Sequence, residues 1–376
     1  MKKYLTATII LILALSFTVP AYADTVFTAF ASSEKAKEDK SSSGSGFEIL
    51  DPHQIRTAIV NGADLTELGI GPPKLPNTTD LKTTQTMYKN SIMIFDPETP
   101  SKAGYVNLSV QPYWLIYNPS NKLLYISYAS QIILVFNPAT DKIIGFLDTR
   151  GLVTDMCLTK DFSGLYIGVM SKNRKHAVWV LDCARNKFTT GYKTPRPASA
   201  VAVSPDGKTL YYSICSRPRG TVYAVNTSDK SLKAEAQTGT SPASLCITPD
   251  GKELYVSNLN SASVSVIDTG SFKVKAVISV GIEPLKMAVS QGGEKIYLAC
   301  RKSNYISVID TKTHNVLKTI KVGAAPTDIA LSPDGKKAYI TNNESKTISI
   351  IDTEQDKVIQ TTSPQLKSKP WGIAVK

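Results

Sequence analysis

Ser332-Pro333-Asp334-Gly335-Lys336-Lys337-Ala338-Tyr339-Ile340-Thr341-Asn342 leads, after a short gap, into Ile348-Ser349-Ile350-Ile351-Asp352. Pro presets one turn dihedral, Asp bonds nearby backbone amides and Gly takes a positive φ, so Ser332–Gly335 reads as a tight turn. Ile329-Ala330-Leu331 before the turn and Ala338–Asn342 after it read as strands. Their alternation is what a strand with unlike faces needs. The closing run of apolar residues capped by an acid or amide recurs through the chain. It appears as Ile92–Asp96, Ile133–Asn137, Val178–Asp182, Val222–Asn226, Val264–Asp268, Ile306–Asp310 and Ile348–Asp352. Those seven copies are spaced 41, 45, 44, 42, 42 and 42 residues apart.

Each full repeat adds a fourth strand such as Val316–Val322, closed by Gly323. Four short strands every forty-two residues or so make one propeller blade. The expectation is therefore an all-β fold, a seven-bladed β-propeller of four-stranded antiparallel blades. The first copy, near Lys82–Val110, has no inner strand before it, and Pro370–Lys376 reads as an inner strand with no blade after it. The ring is expected to be closed by the C-terminal strand, with Ile373–Val375 beside the segment near Lys82–Met87. Closure also removes exposed sheet edges.

Thr248-Pro249-Asp250-Gly251-Lys252-Glu253-Leu254-Tyr255-Val256-Ser257-Asn258 and the 332–342 stretch resemble the YVTN-repeat β-propeller family, named for its Tyr-Val-Thr-Asn strand. The resemblance covers residues 82–376 and is strongest after Ala198. It implies the propeller fold and says little of activity. Members include surface-layer and exported proteins, and relatives include propeller domains of nitrous-oxide reductase, cytochrome cd1 nitrite reductase and quinohaemoprotein amine dehydrogenases. Fold does not carry function across such a range.

The N-terminus reads as an export leader. Lys2 and Lys3 are a positive start, Leu5–Val19 is apolar, Pro20 breaks it, and Ala21-Tyr22-Ala23 suits a signal peptidase. Cleavage is expected after Ala23. The organisation is then a signal peptide over 1–23, a linker and irregular extension over 24–80, and the propeller over 81–376. The formal net charge is +12, or +10 without Lys2 and Lys3. It favours acidic partners. Five cysteines in an exported chain leave at least one unpaired within the molecule, and no C-x-x-C is present. Cys157 and Cys246 fall where other repeats carry alanine and read as small buried apolar groups.

His53, His176 and His314 are scattered and cannot converge. No G-x-S-x-G or H-E-x-x-H occurs. Asp206, Asp250 and Asp334 are turn formers, and Asp182, Asp268, Asp310 and Asp352 end strands. The chain therefore reads as no enzyme, with no catalytic residues, no metal and no cofactor.

The residues opening each inner strand break the repeat while the strand interiors keep it. They include Tyr113, Trp114, Asp155, Lys286, Asp328 and Trp371. Nearby loops carry Lys172, Arg174, Lys175, Arg217 and Arg219, and a later blade has Arg301-Lys302. Aromatics beside cations suit an anionic or stacking ligand. These residues are the candidate ligand-binding set. The leading expectation is a secreted, periplasmic or cell-surface binding scaffold. Its partner would be a protein, a glycan or an anionic envelope polymer, with no membrane span after leader removal. One alternative is a propeller subunit or relative of a periplasmic oxidoreductase. A further one is a non-specific binder of single-stranded nucleic acid.

Overall fold

The computed structural model describes residues 11–16, 91–95, 104–107, 112–128, 131–171, 174–216, 218–362 and 369–375. Six blades follow one another along the chain, each of four successive antiparallel strands. They run from β4 (Pro112–Asn118) to β7 (Lys142–Asp148), β8 (Leu152–Leu158) to β11 (Lys187–Lys193), and β12 (Ala198–Val203) to β15 (Leu232–Gln237). The rest are β16 (Pro242–Ile247) to β19 (Lys273–Ser279), β20 (Pro284–Val289) to β23 (Asn315–Lys321), and β24 (Pro326–Leu331) to β27 (Lys357–Thr362).

The expected seven blades of this kind are thus corrected to six. A composite sheet fills the place between the sixth blade and the first, in the order β28–β1–β2–β3. Here β1 is Leu11–Ser16, β2 is Ser91–Phe95, β3 is Gly104–Asn107 and β28 is Lys369–Val375. β28 lies innermost and borders both β24 and β4. It pairs with β1, whereas the expected partner near Lys82–Met87 lies outside the described residues. The reason is chemical. Second strands are covered on both faces, as the fully buried β13 (Thr209–Ile214) shows. Lys82-Thr83-Thr84-Gln85-Thr86-Met87 is polar, whereas Leu11-Ile12-Leu13-Ala14-Leu15-Ser16 is apolar. The linker and extension expected over 24–80, His53 included, also lie outside the described residues.

The core is divided among the seams. Leu124, Phe136 and Ile126 of the first blade pack with Ile92 and Ala374 of the composite sheet. Ala200, Tyr211 and Val222 pack with Leu245, Leu254 and Phe272 across the third and fourth blades. Each large side chain so buried contributes about 1.5–3 kcal/mol. Tyrosines of the second strands bolt neighbouring blades together. The Tyr125 hydroxyl donates to Asn186 Oδ1 at 2.7 Å, and that of Tyr297 to Asp356 Oδ1 at 2.7 Å. This explains the tyrosine of the repeat motif. Its asparagine is inward too: Asn342 Nδ2 donates to Ser349 Oγ at 2.9 Å and Thr347 Oγ1 at 3.0 Å.

The outermost strands of the six blades carry nine lysines and two acidic residues. Lysine on an edge strand discourages pairing with other chains. Much of the positive charge therefore rings the rim.

Candidate functional site

Every inner strand of the six blades slips register near its start. The slips fall between Pro112 and Leu115, Val153 and Asp155, Ala198 and Ala200, Pro242 and Ser244, Pro284 and Met287, and Pro326 and Asp328. A bulge bends a strand and re-aims its side chains. The bulges coincide with the positions where the sequence departs from its repeat. Taken from β28 onward, the equivalent residues are Gly372, Trp114, Asp155, Ala200, Ser244, Lys286 and Asp328.

Three of these meet. Lys286 of the fifth blade reaches Asp155 of the second, with Nζ 2.5 Å from Oδ1. The same ammonium lies 4.3 Å from the centroid of the Trp114 ring in the first blade. A desolvated cation over an indole face is held by the ring quadrupole. Burial opposes the charge on Lys286, but Asp155 and Asp328 outweigh it and hold its pKa above the ordinary value. Asp328 shows the opposite balance. Burial pushes it up to about 6, against the pull of Lys286 and two backbone N–H groups, with Asp155 adding to the rise. Two carboxylates thus share one ammonium in a dry setting; Asp155 is 4% and Asp328 8% exposed.

Both carboxylates also clip blades together. Asp155 Oδ2 accepts from the Val201 N–H of the next inner strand at 3.0 Å. Asp328 Oδ2 accepts from the Ile373 N–H of β28 at 3.0 Å, and Oδ1 from its own neighbour Ile329 at 2.9 Å. Thr327 and Thr341 donate to the Trp371 carbonyl at 3.1 and 3.0 Å, and Asn343 Nδ2 to the Pro370 carbonyl at 2.8 Å. Four side chains of the sixth blade therefore hold three successive stretches of the closing strand. Gly372 is required there, because a Cβ would stand 2.8 Å from the Tyr113 carbonyl oxygen.

The sequence grouped Trp371, Tyr113 and Trp114 as exposed contacts. Trp371 is buried, at 6% exposure, and Tyr113 and Trp114 are half-buried. Burial raises the pKa of the Tyr113 hydroxyl. Sequence reasoning missed Thr327, Thr341 and Asn343. Their signal was a polar residue on strands otherwise covered on both faces.

The surrounding loops form one face. The loop between the second and third strands bonds the loop entering the inner strand, as in Leu259 N–H to the Ser241 carbonyl and Asn343 N–H to that of Ala325. On this face Arg174, Lys175 and Arg219 are exposed, while Lys172 and Arg217 lie outside the described residues. Arg301 and Lys302 are held by Glu283, at 3.3 and 2.5 Å. Burial and Arg174 lower the pKa of His176, whose Nδ1 accepts from the Ser171 N–H at 3.2 Å. His314 lies away in the fifth blade's outer hairpin, 3.1 Å from Glu253. All five cysteines are free thiols; burial pushes Cys157 up to about 11 and Cys246 up to about 12. Among the described residues, no group of three or more His, Cys, Asp or Glu is placed to hold a metal ion.

A ring of four-stranded blades with bulged inner strands around a tied channel defines a β-propeller protein. The chain belongs to the YNCE-like β-propeller family, whose model matches residues 81–374. It is similar to Antigen Lp49 of Leptospira interrogans, with 24% identity over 287 residues. That match covers 59% of this chain and 62% of the relative, so the chain spans about three-fifths of that protein's length. Among solved structures, a functionally unknown protein from Desulfotomaculum acetoxidans superposes with a TM-score of 0.64 at 17% identity. It covers 76% of this chain and 95% of its own. Hydrazine synthase of Kuenenia stuttgartiensis gives 0.57 at 20%, over 70% of this chain and 86% of the other. Both establish likeness of fold alone.

Proposed function

We propose that this protein is an exported, non-catalytic binding scaffold whose loop face holds an anionic polymer of the cell envelope. One observation carries the reading. The charged residues at the channel satisfy one another, whereas Arg174, Lys175 and Arg219 stand exposed on the loops around it. Rigid blades presenting long polar side chains from loops are a usual way to place a binding surface. A relative named as an antigen, together with the leader-like N-terminus, supports a location where outside partners reach the chain. The YVTN-like strands point the same way, towards surface-layer proteins.

Binding of polyphosphate, a sulfated glycan and single-stranded DNA between about 50 and 200 mM salt tests this. An Arg174→Ala/Lys175→Ala/Arg219→Ala variant should bind more weakly with a flatter salt dependence. Every phosphate no longer neutralised should lower the slope by roughly 0.7 on the DNA probe. Trp114→Ala should leave the slope unchanged. Failure of every polyanion to bind at the lower salt would overturn the proposal.

A further inference from the structure

The second-strand position of the composite sheet is filled by the very stretch that reads as a removable leader. β1 pairs on both sides. Leu11 faces Phe95, Ile12 faces Ile94, Leu13 faces Met93 and Ala14 faces Ile92 of β2. On the other side Leu11 faces Val375, Ile12 faces Ala374 and Leu13 faces Ile373 of β28. Cleavage after Ala23 would remove this strand. Two rows of backbone donors and acceptors would then face each other with nothing between them, a costly arrangement that calls for another strand.

The residues just beyond the cleavage position read Thr25-Val26-Phe27-Thr28-Ala29-Phe30. The second strand of the third blade reads Thr209-Leu210-Tyr211-Tyr212-Ser213-Ile214. Both run threonine, aliphatic, aromatic, a hydroxyl-bearing residue, a small residue, then a large apolar one. In the third blade Leu210 faces Val225 and Tyr211 faces Ala224. The repeat aligns Val225 with Phe95 and Ala224 with Ile94. Val26 would therefore face Phe95 and Phe27 would face Ile94, the places now held by Leu11 and Ile12. That is a slide of fifteen residues along the same chain (26 − 11). Lys82–Met87, the nearer segment, supplies a single large apolar residue, Met87.

We propose that the gap between β2 and β28 is a strand-acceptor site, and that in the processed chain its occupant is Thr25–Phe30 of the same molecule, with Val26 opposite Phe95. The inference rests on the export reading above. An occupant in cis is favoured by its tether. Residues 31–90 connect it to β2, and loop-closure cost rises only slowly with length, whereas a second copy would have to be present at high concentration.

The test is hydrogen exchange over β2 and β28 in the protein recovered after export from its full-length gene, with its N-terminus sequenced. It is compared with a Val26→Pro/Ala29→Pro variant and a Thr84→Pro/Thr86→Pro variant, because proline cannot join a central strand's ladder. The first variant should exchange faster at residues 91–95 and 369–375, by on the order of tenfold or more. The blades from β12 to β27 should stay protected, showing that the variant is folded. Equal protection in wild type and first variant overturns the proposal. Loss in the second variant instead assigns the site to residues 82–87 and also overturns it. Protection that rises with concentration alongside a dimer refutes the cis occupant. An N-terminus still carrying Leu11–Ser16 overturns the processing step itself, and sequencing distinguishes that failure from the others.

Discussion

Replacing Lys286 with methionine keeps the length of the side chain and removes its charge. In the native ring the ammonium sits 2.5 Å from Asp155 Oδ1 and 4.3 Å from the Trp114 centroid, tying three blades across the channel. Removing one partner of a buried ion pair costs about 3–5 kcal/mol, because the other charge is left buried without compensation. The cost should depend on pH, and Asp328 sets the direction. Its pKa rises from 3.8 to about 6 in the fold. Between those values the folded chain binds more protons than the unfolded one, so this group's favourable contribution is complete below its ordinary range and is lost as pH climbs through about 6. The shift corresponds to roughly 3 kcal/mol. Lys286 is what holds Asp328 down, so Lys286→Met should push that carboxyl higher and widen the penalty at alkaline pH. Urea unfolding followed by tryptophan fluorescence at pH 8 and pH 5 measures this. A loss of about 3–5 kcal/mol at pH 8 that shrinks at pH 5 is expected. A deficit below about 1 kcal/mol, or one equal at both pH values, would refute the channel tie.

Asp328→Asn should flatten the wild-type fall in stability between pH 5 and pH 8, while costing about 1–3 kcal/mol at pH 5 because its amide must face a backbone N–H. Parallel urea titrations at the two pH values read both effects. Tyr297→Phe removes bonds to Asp356 Oδ1 at 2.7 Å and the Thr353 carbonyl at 3.0 Å. It should cost about 1–3 kcal/mol in a denaturation midpoint with little change in slope. Gly372→Ala brings a Cβ to 2.8 Å from the Tyr113 carbonyl oxygen and should destabilise by about 1–3 kcal/mol, read in the same way.

The blades were legible because their signals are local. The turn at Ser332–Gly335 shows it: Ser332 Oγ and the Lys336 N–H both bond Asp334 Oδ1, at 2.5 and 3.0 Å, within six residues of sequence. Aligning repeats also located the channel, since residues that escape the repeat are those the bulges turn inward. What they meet there was not legible. Lys286 and Asp155 are 131 residues apart, and only ring closure brings them together. Trp371 departs from its repeat much as a contact residue would, yet its carbonyl is gripped by Thr327 and Thr341 and its ring is buried. The blade count failed for a related reason. Third strands recur seven times, but a third strand does not show where its own second strand comes from. In the first copy that strand is Leu11–Ser16, a long way back in the chain.

At the C-terminal strand the ring either closes or opens. Asp328, Thr327, Thr341 and Asn343 all bind Pro370–Ile373, and β28 is the innermost strand between β24 and β4. Deleting Pro370–Lys376 and following urea unfolding with hydrogen exchange tests this directly. The predicted result is a sharply lowered midpoint with lost protection in β24 and β4 as well as in β2. An unchanged midpoint, with β24 and β4 as protected as in the intact chain, would contradict it.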